Sequence, residues 1–284
     1  MNRSINQGGK KTMKKVILFV FLCVITPTVL LADFPYFEFF GSSLRNTYGE
    51  MWTLTGTLES VPNGTDSIPN PPGGDGYFGK LSAVFATANT CGKLLGTDTD
   101  TNYTIKAKIY IPVVNVPDGT TGDDYWYQSI VFYYTGYGEY GRFHTHFNLT
   151  PLGSAPPLSP RIRLQVVTGS AFVYTLGWAG TTDFTVPASS SWHELKMVLS
   201  GTTALCYFDG TQLPGTADWT STAASRTAGR FGFGEYFDDA GSPLFYIDQF
   251  KAWTSPSEPP DPIPTATPTP TPIPMSVKIW SHYE

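Results

Sequence analysis

The sequence predicts an all-β protein built as a two-layer antiparallel β-sandwich. Aromatic residues make up 15% of the chain, and 28 Gly and 24 Pro interrupt it at short intervals. Apolar residues alternate with polar ones, a period of two that is typical of strands with one buried face. With 284 residues, the chain is long enough for one large sandwich with a substantial core.

Residues 1–32 form a predicted secretory signal peptide, with Met13 as the expected start. Lys14 and Lys15 precede an apolar run over residues 16–31, and a small residue ends the segment. This order is typical of export signals. A retained membrane anchor is the alternative, although the run is shorter than the ~20 residues that a membrane span requires. We therefore expect a secreted protein that does not stay in the membrane after cleavage.

The mature chain is expected to be acidic. Removing residues 1–32 takes away five basic residues and no acidic one, so the net charge moves from −5 to −10. Such a surface disfavours nucleic acid and anionic lipid as partners. Cys91 and Cys206 remain in an oxidising compartment, where they could form a disulfide. Two buried free thiols are an equal alternative, because two distant cysteines carry no spacing signature.

The folded domain is predicted to span residues 33–255. Residues 256–274 alternate Pro and Thr with almost nothing apolar, a composition that favours an extended, semi-rigid spacer of a bacterial modular protein. Residues 275–284 are too few to form a domain. We therefore expect a further module beyond the spacer, with a dangling tail as the alternative.

About ten strands follow from the alternation. One strand places Ile105, Ala107 and Ile109 on one side and Lys106 and Lys108 on the other. Outside residues 191–212, the predicted strands are 34–40, 103–112, 126–134, 141–149, 161–167, 171–178, 229–236 and 244–253.

The stretch 191–212, SWHELKMVLSGTTALCYFDGTQ, contains a His beside a Glu and ends near a Phe-Asp-Gly. Its apolar residues alternate, and turns are expected at Gly201 and at Asp209-Gly210. We interpret it as a scaffold hairpin, with Glu194 and Lys196 on the solvent side.

Three blocks resemble the concanavalin A-like lectin/glucanase superfamily, whose jelly-roll fold includes laminin G-like domains. They are WHELKMVLSG followed by CYFDG, then GRFGFGEY, and finally YIDQFKAW. The resemblance covers most of residues 34–254 and implies a jelly-roll sandwich. It leaves the function open, because the superfamily holds hydrolases, lyases, lectins and adhesion modules.

The motifs that the resemblance associates with catalysis are absent. Hydrolases of this fold carry a Glu-x-Asp strand, whose carboxylates act as nucleophile and general acid, and no Glu-x-Asp occurs in the chain. The nearest acidic cluster, Glu235, Asp238 and Asp239, has a different spacing, and we interpret it as loop capping or a cation site. The Arg-x-Glu-x-Arg and Gln-x-His motifs of alginate-lyase relatives are also missing.

Polar residues of two strands are expected on one sheet face, which we call the Arg/His face. Alternation brings its members to the same side if residues 141–149 and 161–167 are neighbours. The Arg/His face consists of Arg142, His144, His146, Asn148, Arg161, Arg163 and Gln165. A solvated sheet face is one interpretation. Binding of carboxylates or sugar hydroxyls is the other, because Arg offers planar, bidentate donors. A metal at the two His has no visible third ligand.

Aromatic rings near this face are candidates for stacking on sugar rings. They are Tyr174 and Trp178, together with either Tyr125 and Tyr127 or else Trp126. The resemblance also implies a structural Ca²⁺ held between the first and last strands, which by match to that pattern involves Glu38 and Asp248.

These observations predict a secreted, non-catalytic carbohydrate-binding or adhesion module that binds a polysaccharide or glycan surface. A polysaccharide-active enzyme, a lyase or glycoside hydrolase, centred on the Arg/His face is the first alternative. A purely structural surface domain is the second.

Overall fold

A two-layer antiparallel β-sandwich forms the folded part of this chain, as the sequence predicts. The computed structural model describes residues 36–38, 50–51, 56–83, 89–112, 125–136, 138–148, 161–169, 171–176, 184–185, 190–223, 225–237, 244–254 and 256–260. The predicted signal peptide and residues 261–284 lie outside this part. Within it, no helix has the length and apolar character needed to cross a bilayer.

In the first half of the chain, the described residues form eight strands and one 3₁₀ turn, at Thr65–Ser67. The strands are β1 (Tyr36–Glu38), β2 (Glu50–Met51), β3 (Gly56–Pro62), β4 (Tyr77–Ala83), β5 (Asn89–Leu95), β6 (Thr104–Ile111), β7 (Tyr125–Gly136) and β8 (Glu139–Asn148).

The second half completes both sheets. Its strands are β9 (Arg161–Thr168), β10 (Ala171–Leu176), β11 (Phe184–Thr185), β12 (Ser191–Ser200), β13 (Thr203–Phe208), β14 (Thr211–Gln212), β15 (Ala217–Asp218), β16 (Arg230–Phe237) and β17 (Leu244–Trp253). One sheet of nine strands has the order β14-β13-β12-β6-β17-β4-β3, with β1 on β17 and β15 on β13. The other, of eight strands, has the order β10-β9-β8-β7-β16-β5-β2, with β11 on β9.

The hydrophobic core lies between the two sheets and follows the predicted alternation. In β6, Ile105, Ala107 and Ile109 are fully buried in it, while Lys106 and Lys108 are only partly buried. Trp126 stacks on Phe147 at 4.7 Å between ring centroids, which joins β7 to β8 on the inner side. Burial of side chains this large supplies most of the driving force for folding.

The outer side of the nine-stranded sheet is closed by the loop over residues 62–76, and we call this side the covered face. Phe78, Tyr110, Trp192 and Tyr246 form its aromatic cluster, into which Ile68 of the loop packs. The Trp192 indole N–H donates to the Pro69 carbonyl at 2.6 Å. Loop and sheet therefore share one small apolar core.

The predicted disulfide between Cys91 and Cys206 is wrong, because Cys206 is a free thiol buried in the core. Its strand, β13, is four strands from β4 in the nine-stranded sheet, whereas β5, which holds Cys91, packs against β3 and β4. That offset is roughly 20 Å at about 4.8 Å per strand. A disulfide requires Cα atoms within about 7 Å.

The beginning of the predicted spacer contacts the sandwich. Glu258 forms ion pairs with Lys106 and with Lys251, both on the nine-stranded sheet. Partial burial raises the pKa of Glu258, but the hydrogen bonds from the two lysines, together with their charges, outweigh it and lower the pKa. These ion pairs hold the first residues of the predicted spacer against the nine-stranded sheet.

Candidate functional site

The strand register assembles the Arg/His face as predicted. β8 and β9 are antiparallel neighbours, and the register pairs Arg142 with Gln165, His144 with Arg163, and His146 with Arg161. Because directly paired residues point to the same side of a sheet, all six side chains lie on the outer face of the eight-stranded sheet. Thr145, between the two His, points inward and is fully buried.

Strands β7 and β16 extend this face. Tyr127 lies opposite His146 in β7, and Tyr236 lies opposite Tyr127 in β16. The two tyrosine rings stack with centroids 5.2 Å apart. Next to them, Gly234 lies opposite Ser129, so a stretch of the face has almost no side-chain bulk. β7 and β16 thus add a stacked pair of tyrosine rings to the Arg/His face.

Arg142 is the centre of the face. Its Nε and Nη2 donate to Gln165 Oε1 at 3.0 and 2.8 Å, and its guanidinium lies over the Tyr127 ring at 4.1 Å from the centroid. The side chain is only 3% exposed. No acidic side chain of the described residues contacts Arg142. A buried cation held by an amide and aromatic rings keeps its affinity for an incoming anion.

Phe172 is the large hydrophobic residue that the described structure exposes most, at 55%. It lies in β10 opposite Val167, and its ring centroid is 5.2 Å from the Arg142 guanidinium carbon. Tyr236 and Arg161 are also partly exposed. The rim of the face thus offers an aromatic surface directly over the buried guanidinium.

Both His of the face are neutral. Burial, followed by the charges of Arg142, His146 and Arg163, lowers the pKa of His144 well below its usual value, although the Arg142 backbone opposes this shift. Burial and the neighbouring arginines lower the pKa of His146 to about 2. Neither ring nitrogen of His144 makes a hydrogen bond of normal geometry in the described part of the chain. A fully buried imidazole with two unused nitrogens is unusual for a purely structural residue.

The predicted aromatic candidates are only partly placed at the site. Tyr127 belongs to it, whereas Tyr174 pairs with Val166, a core position, and its side chain is outside the described structure. Trp178 lies outside the described residues. Phe172 and Tyr236 also belong to the site but were not among the aromatic residues predicted from the sequence. Phe172 could have been recognised because its strand, 171–178, was expected to border the Arg/His face.

The acidic cluster that contains Glu235 was interpreted as loop capping or a cation site, and for Glu235 the loop interpretation is wrong. It lies in β16 and points into the core, where the Trp126 indole N–H donates to its Oε2 at 3.2 Å. Burial raises the pKa of Glu235 well above its usual value, and the hydrogen bond from Trp126 opposes this only in part. Burial therefore favours the protonated form of this carboxyl group, which lies on the opposite side of the sheet from the Arg/His face.

Of the two residues predicted to bind calcium, only Asp248 has a described side chain. Asp248 is buried, at 1% exposure, and lies opposite Lys108, whereas the side chain of Glu38 is outside the described structure. Calcium usually takes about six to eight oxygen ligands. The described residues contain no group of three His, Cys, Asp or Glu side chains arranged for a metal. Calcium at Asp248 and Glu38 stays a prediction.

Comparison with solved structures finds distant likenesses. A glycoside hydrolase family 16 endo-glucanase from Bacteroides ovatus is 12% identical over 76% of this chain and 99% of its own, with a TM-score of 0.41. Cellulose induced protein Cip1 is 12% identical over 78% and 97%, with a TM-score of 0.48. LamAcat from Zobellia galactanivorans is 10% identical over 77% and 96%, with a TM-score of 0.41.

Likenesses this distant carry no conclusion about the superfamily or the activity of this chain. No protein-family profile and no curated protein matches the sequence. The function must therefore be argued from the residues of the site.

Proposed function

We propose that this chain is a secreted carbohydrate-binding module that binds an acidic polysaccharide, one whose sugar rings carry carboxylates, through the Arg/His face. The observation that supports this most is Arg142, a buried guanidinium without an acidic partner in the described structure, beneath the exposed ring of Phe172. Arginine binds carboxylates with two parallel hydrogen bonds. Aromatic rings stack on the apolar faces of sugars.

The chemistry of the face favours an acidic ligand over a neutral one. It combines Arg142, Arg161 and Arg163 with two neutral His, so its positive charge comes from arginine alone. The overall charge of the chain is negative, at −5. A positive face on an acidic protein concentrates its attraction for anions at one place. Phe172, Tyr236 and Arg161 lie on the side from which a polysaccharide would approach.

Affinity electrophoresis of the purified chain in gels containing polyglucuronate, alginate or a neutral β-glucan tests this proposal. We expect the acidic polymers to retard the chain more than the neutral one. Arg142→Met removes a charged hydrogen-bond donor worth about 1.5–3 kcal/mol, so binding is expected to weaken by about 10- to 100-fold. Lys196→Met, which removes one positive charge from the other sheet, is the matched control. Equal loss of retardation in the two variants, or retardation by the neutral polymer alone, would contradict the proposal.

A second candidate function, cleavage of the same polymer by β-elimination, is supported by His144. A neutral imidazole with two unused nitrogens can accept the proton from the carbon beside a uronate carboxylate, while Arg142 stabilises the negative charge that develops. The electron pair then forms a carbon–carbon double bond as the glycosidic C–O bond breaks. The leaving oxygen takes a proton from the Tyr127 hydroxyl or from water.

Lyase activity has its own readout, the ultraviolet absorbance of unsaturated uronate products. We expect His144→Gln to abolish product formation while the gel retardation persists. Retardation without products in the unmodified chain would leave the binding module and exclude the lyase for the polymers tested.

A further inference from the structure

A chain of hydrogen bonds joins Ser191, His193 and Asp209 on the nine-stranded sheet. Ser191 Oγ lies 2.7 Å from His193 Nε2, and His193 Nδ1 lies 2.7 Å from Asp209 Oδ2. Ser191 and His193 are two positions apart in β12 and therefore point to the same side. Asp209 follows β13 in the turn that the sequence predicts. This hairpin was interpreted as scaffold, and the Arg/His face makes no use of it.

The polarity of this chain of hydrogen bonds follows from the donors. An ionised carboxylate only accepts hydrogen bonds, so His193 Nδ1 carries the proton that it shares with Asp209. In a neutral imidazole the other nitrogen, Nε2, then carries a lone pair. That nitrogen can only accept, and Ser191 must donate its hydroxyl proton to it. The arrangement thus has a base directed at a serine hydroxyl and a carboxylate directed at the base.

The carboxylate and the ring are held rigidly. Asp209 Oδ1 accepts the Glu194 backbone N–H at 2.8 Å, and the Asp209 N–H donates to the Glu194 carbonyl at 3.0 Å. Asp209 also adopts a left-handed backbone conformation, with φ of 47°. The His193 ring stacks on Phe208 with centroids 4.9 Å apart. These contacts leave the imidazole one orientation, in which Nε2 faces Ser191.

Of the three hydrogen-bonded residues, the two at the ends, Ser191 and Asp209, reach solvent. Ser191 is partly exposed and the Asp209 side chain is 46% exposed, whereas the His193 side chain between them is 6% exposed. A small electrophile can therefore reach the hydroxyl, while the base beneath it is shielded from water. Such shielding favours proton transfer between Ser191 and His193 over proton exchange with solvent.

We propose that Ser191 is an activated nucleophile that accepts acyl groups from small carboxylic esters. Ser191 Oγ attacks the ester carbonyl carbon, its proton passes to His193 Nε2, and that proton then leaves with the alcohol as the ester C–O bond breaks. Water, deprotonated by His193 Nε2, then attacks the carbonyl carbon of the acyl-serine. The bond between that carbon and Ser191 Oγ breaks, the His193 imidazolium returns the proton to Ser191 Oγ, and the carboxylic acid leaves. Asp209 is a positioning residue that stabilises the imidazolium. This activity is separate from binding at the Arg/His face, which lies on the other sheet.

A fluorophosphonate probe with mass spectrometry of the labelled chain tests the proposal, because it reports which serine reacts. We expect labelling at Ser191 and not at the neighbouring Ser190, and loss of labelling in Ser191→Ala. Ser190→Ala is the matched control and should react like the unmodified chain. Asp209→Asn should slow labelling at least about 100-fold, because the imidazole loses the partner that sets its tautomer. Thermal unfolding of each variant identifies any loss of fold.

Hydrolysis of p-nitrophenyl acetate provides the second readout. Asp209→Asn should lower kcat and leave KM unchanged, which a merely structural change would not do selectively. Equal labelling of Ser190 and Ser191, no labelling of either, or hydrolysis that persists in Ser191→Ala would each overturn the proposal. In those cases the three side chains only fasten the hairpin.

Discussion

The outer faces of the two sheets both bury aromatic and polar side chains but differ in how their polar groups are satisfied. On the covered face, the Trp192 N–H donates to Pro69, the Tyr246 hydroxyl donates to Asp66 at 2.8 Å, and the Gln249 amide donates to Pro72. On the Arg/His face, Arg142 has one amide and three rings around it, and His144 has no hydrogen bond of normal geometry in the described structure.

This difference distinguishes a structural face from a functional one. A buried polar group without a partner costs free energy, so a face that only stabilised the fold would be expected to satisfy or replace such groups. The covered face satisfies the donors named above with backbone carbonyl groups and the Asp66 carboxylate of its own loop, while the Asn70 Oδ1 acceptor of that loop is buried without a hydrogen bond in the described structure. The Arg/His face keeps donors that a ligand can use, which is why we place the function there.

The largest expected effect is on the covered face. Phe78 is fully buried and packs edge-on against Trp192 and Tyr246, so Phe78→Ala should lower the free energy of unfolding by about 3–5 kcal/mol. Phe172→Ala makes the same chemical change at a 55% exposed position and should leave stability nearly unchanged while weakening polysaccharide binding. Denaturant titrations and gel retardation of both variants measure this. Similar losses of stability would remove the distinction between the faces.

A smaller change in the free energy of unfolding is expected when the pH falls, because of His144 on the Arg/His face. Because the folded pKa of His144 is depressed, its contribution to stability is complete above the unfolded value of about 6.5 and is lost as the pH falls below it. The slope for one such group is about 1.4 kcal/mol per pH unit. His144→Gln, which cannot titrate, should therefore lose less stability on acidification. Free energies of unfolding measured for both chains across this range should diverge, and parallel curves would contradict a neutral His144.

The smallest change in the free energy of unfolding is expected at the edge of the covered face. Trp192→Phe keeps an aromatic ring beside Phe78 but removes the hydrogen bond to Pro69, which we expect to cost about 1 kcal/mol. The loop over residues 62–76 should then exchange its amide hydrogens faster. Hydrogen exchange measured by mass spectrometry on that segment, with β6 as the internal reference, tests this. Unchanged exchange would show that the apolar contacts of Ile68 alone hold the loop.

Strand positions were largely predictable because alternation is a local property of the chain. β6, β7, β8, β9 and β17 lie where the sequence places them, and β17 has the predicted bounds, Leu244–Trp253. β3, β4 and β5 were missed. Gly79 and Gly92 interrupt the last two, and glycine weakens the strand pattern. Gly92 is required there, since a Cβ at that position would lie 2.4 Å from the Phe233 carbonyl oxygen.

The chemistry of the sites depended on contacts that no local pattern contains. Alternation alone puts Arg142 and His144 on the same side of a strand, and this much the sequence determines. Whether β8 and β9 are neighbours, whether Phe172 lies above Arg142, and whether Cys91 can reach Cys206 depend on the strand order. The same holds for the hydrogen bonds of His193, which join side chains of β12 to a side chain in the turn after β13. Strand order arises from packing between residues far apart in the chain, and only the folded structure contains it.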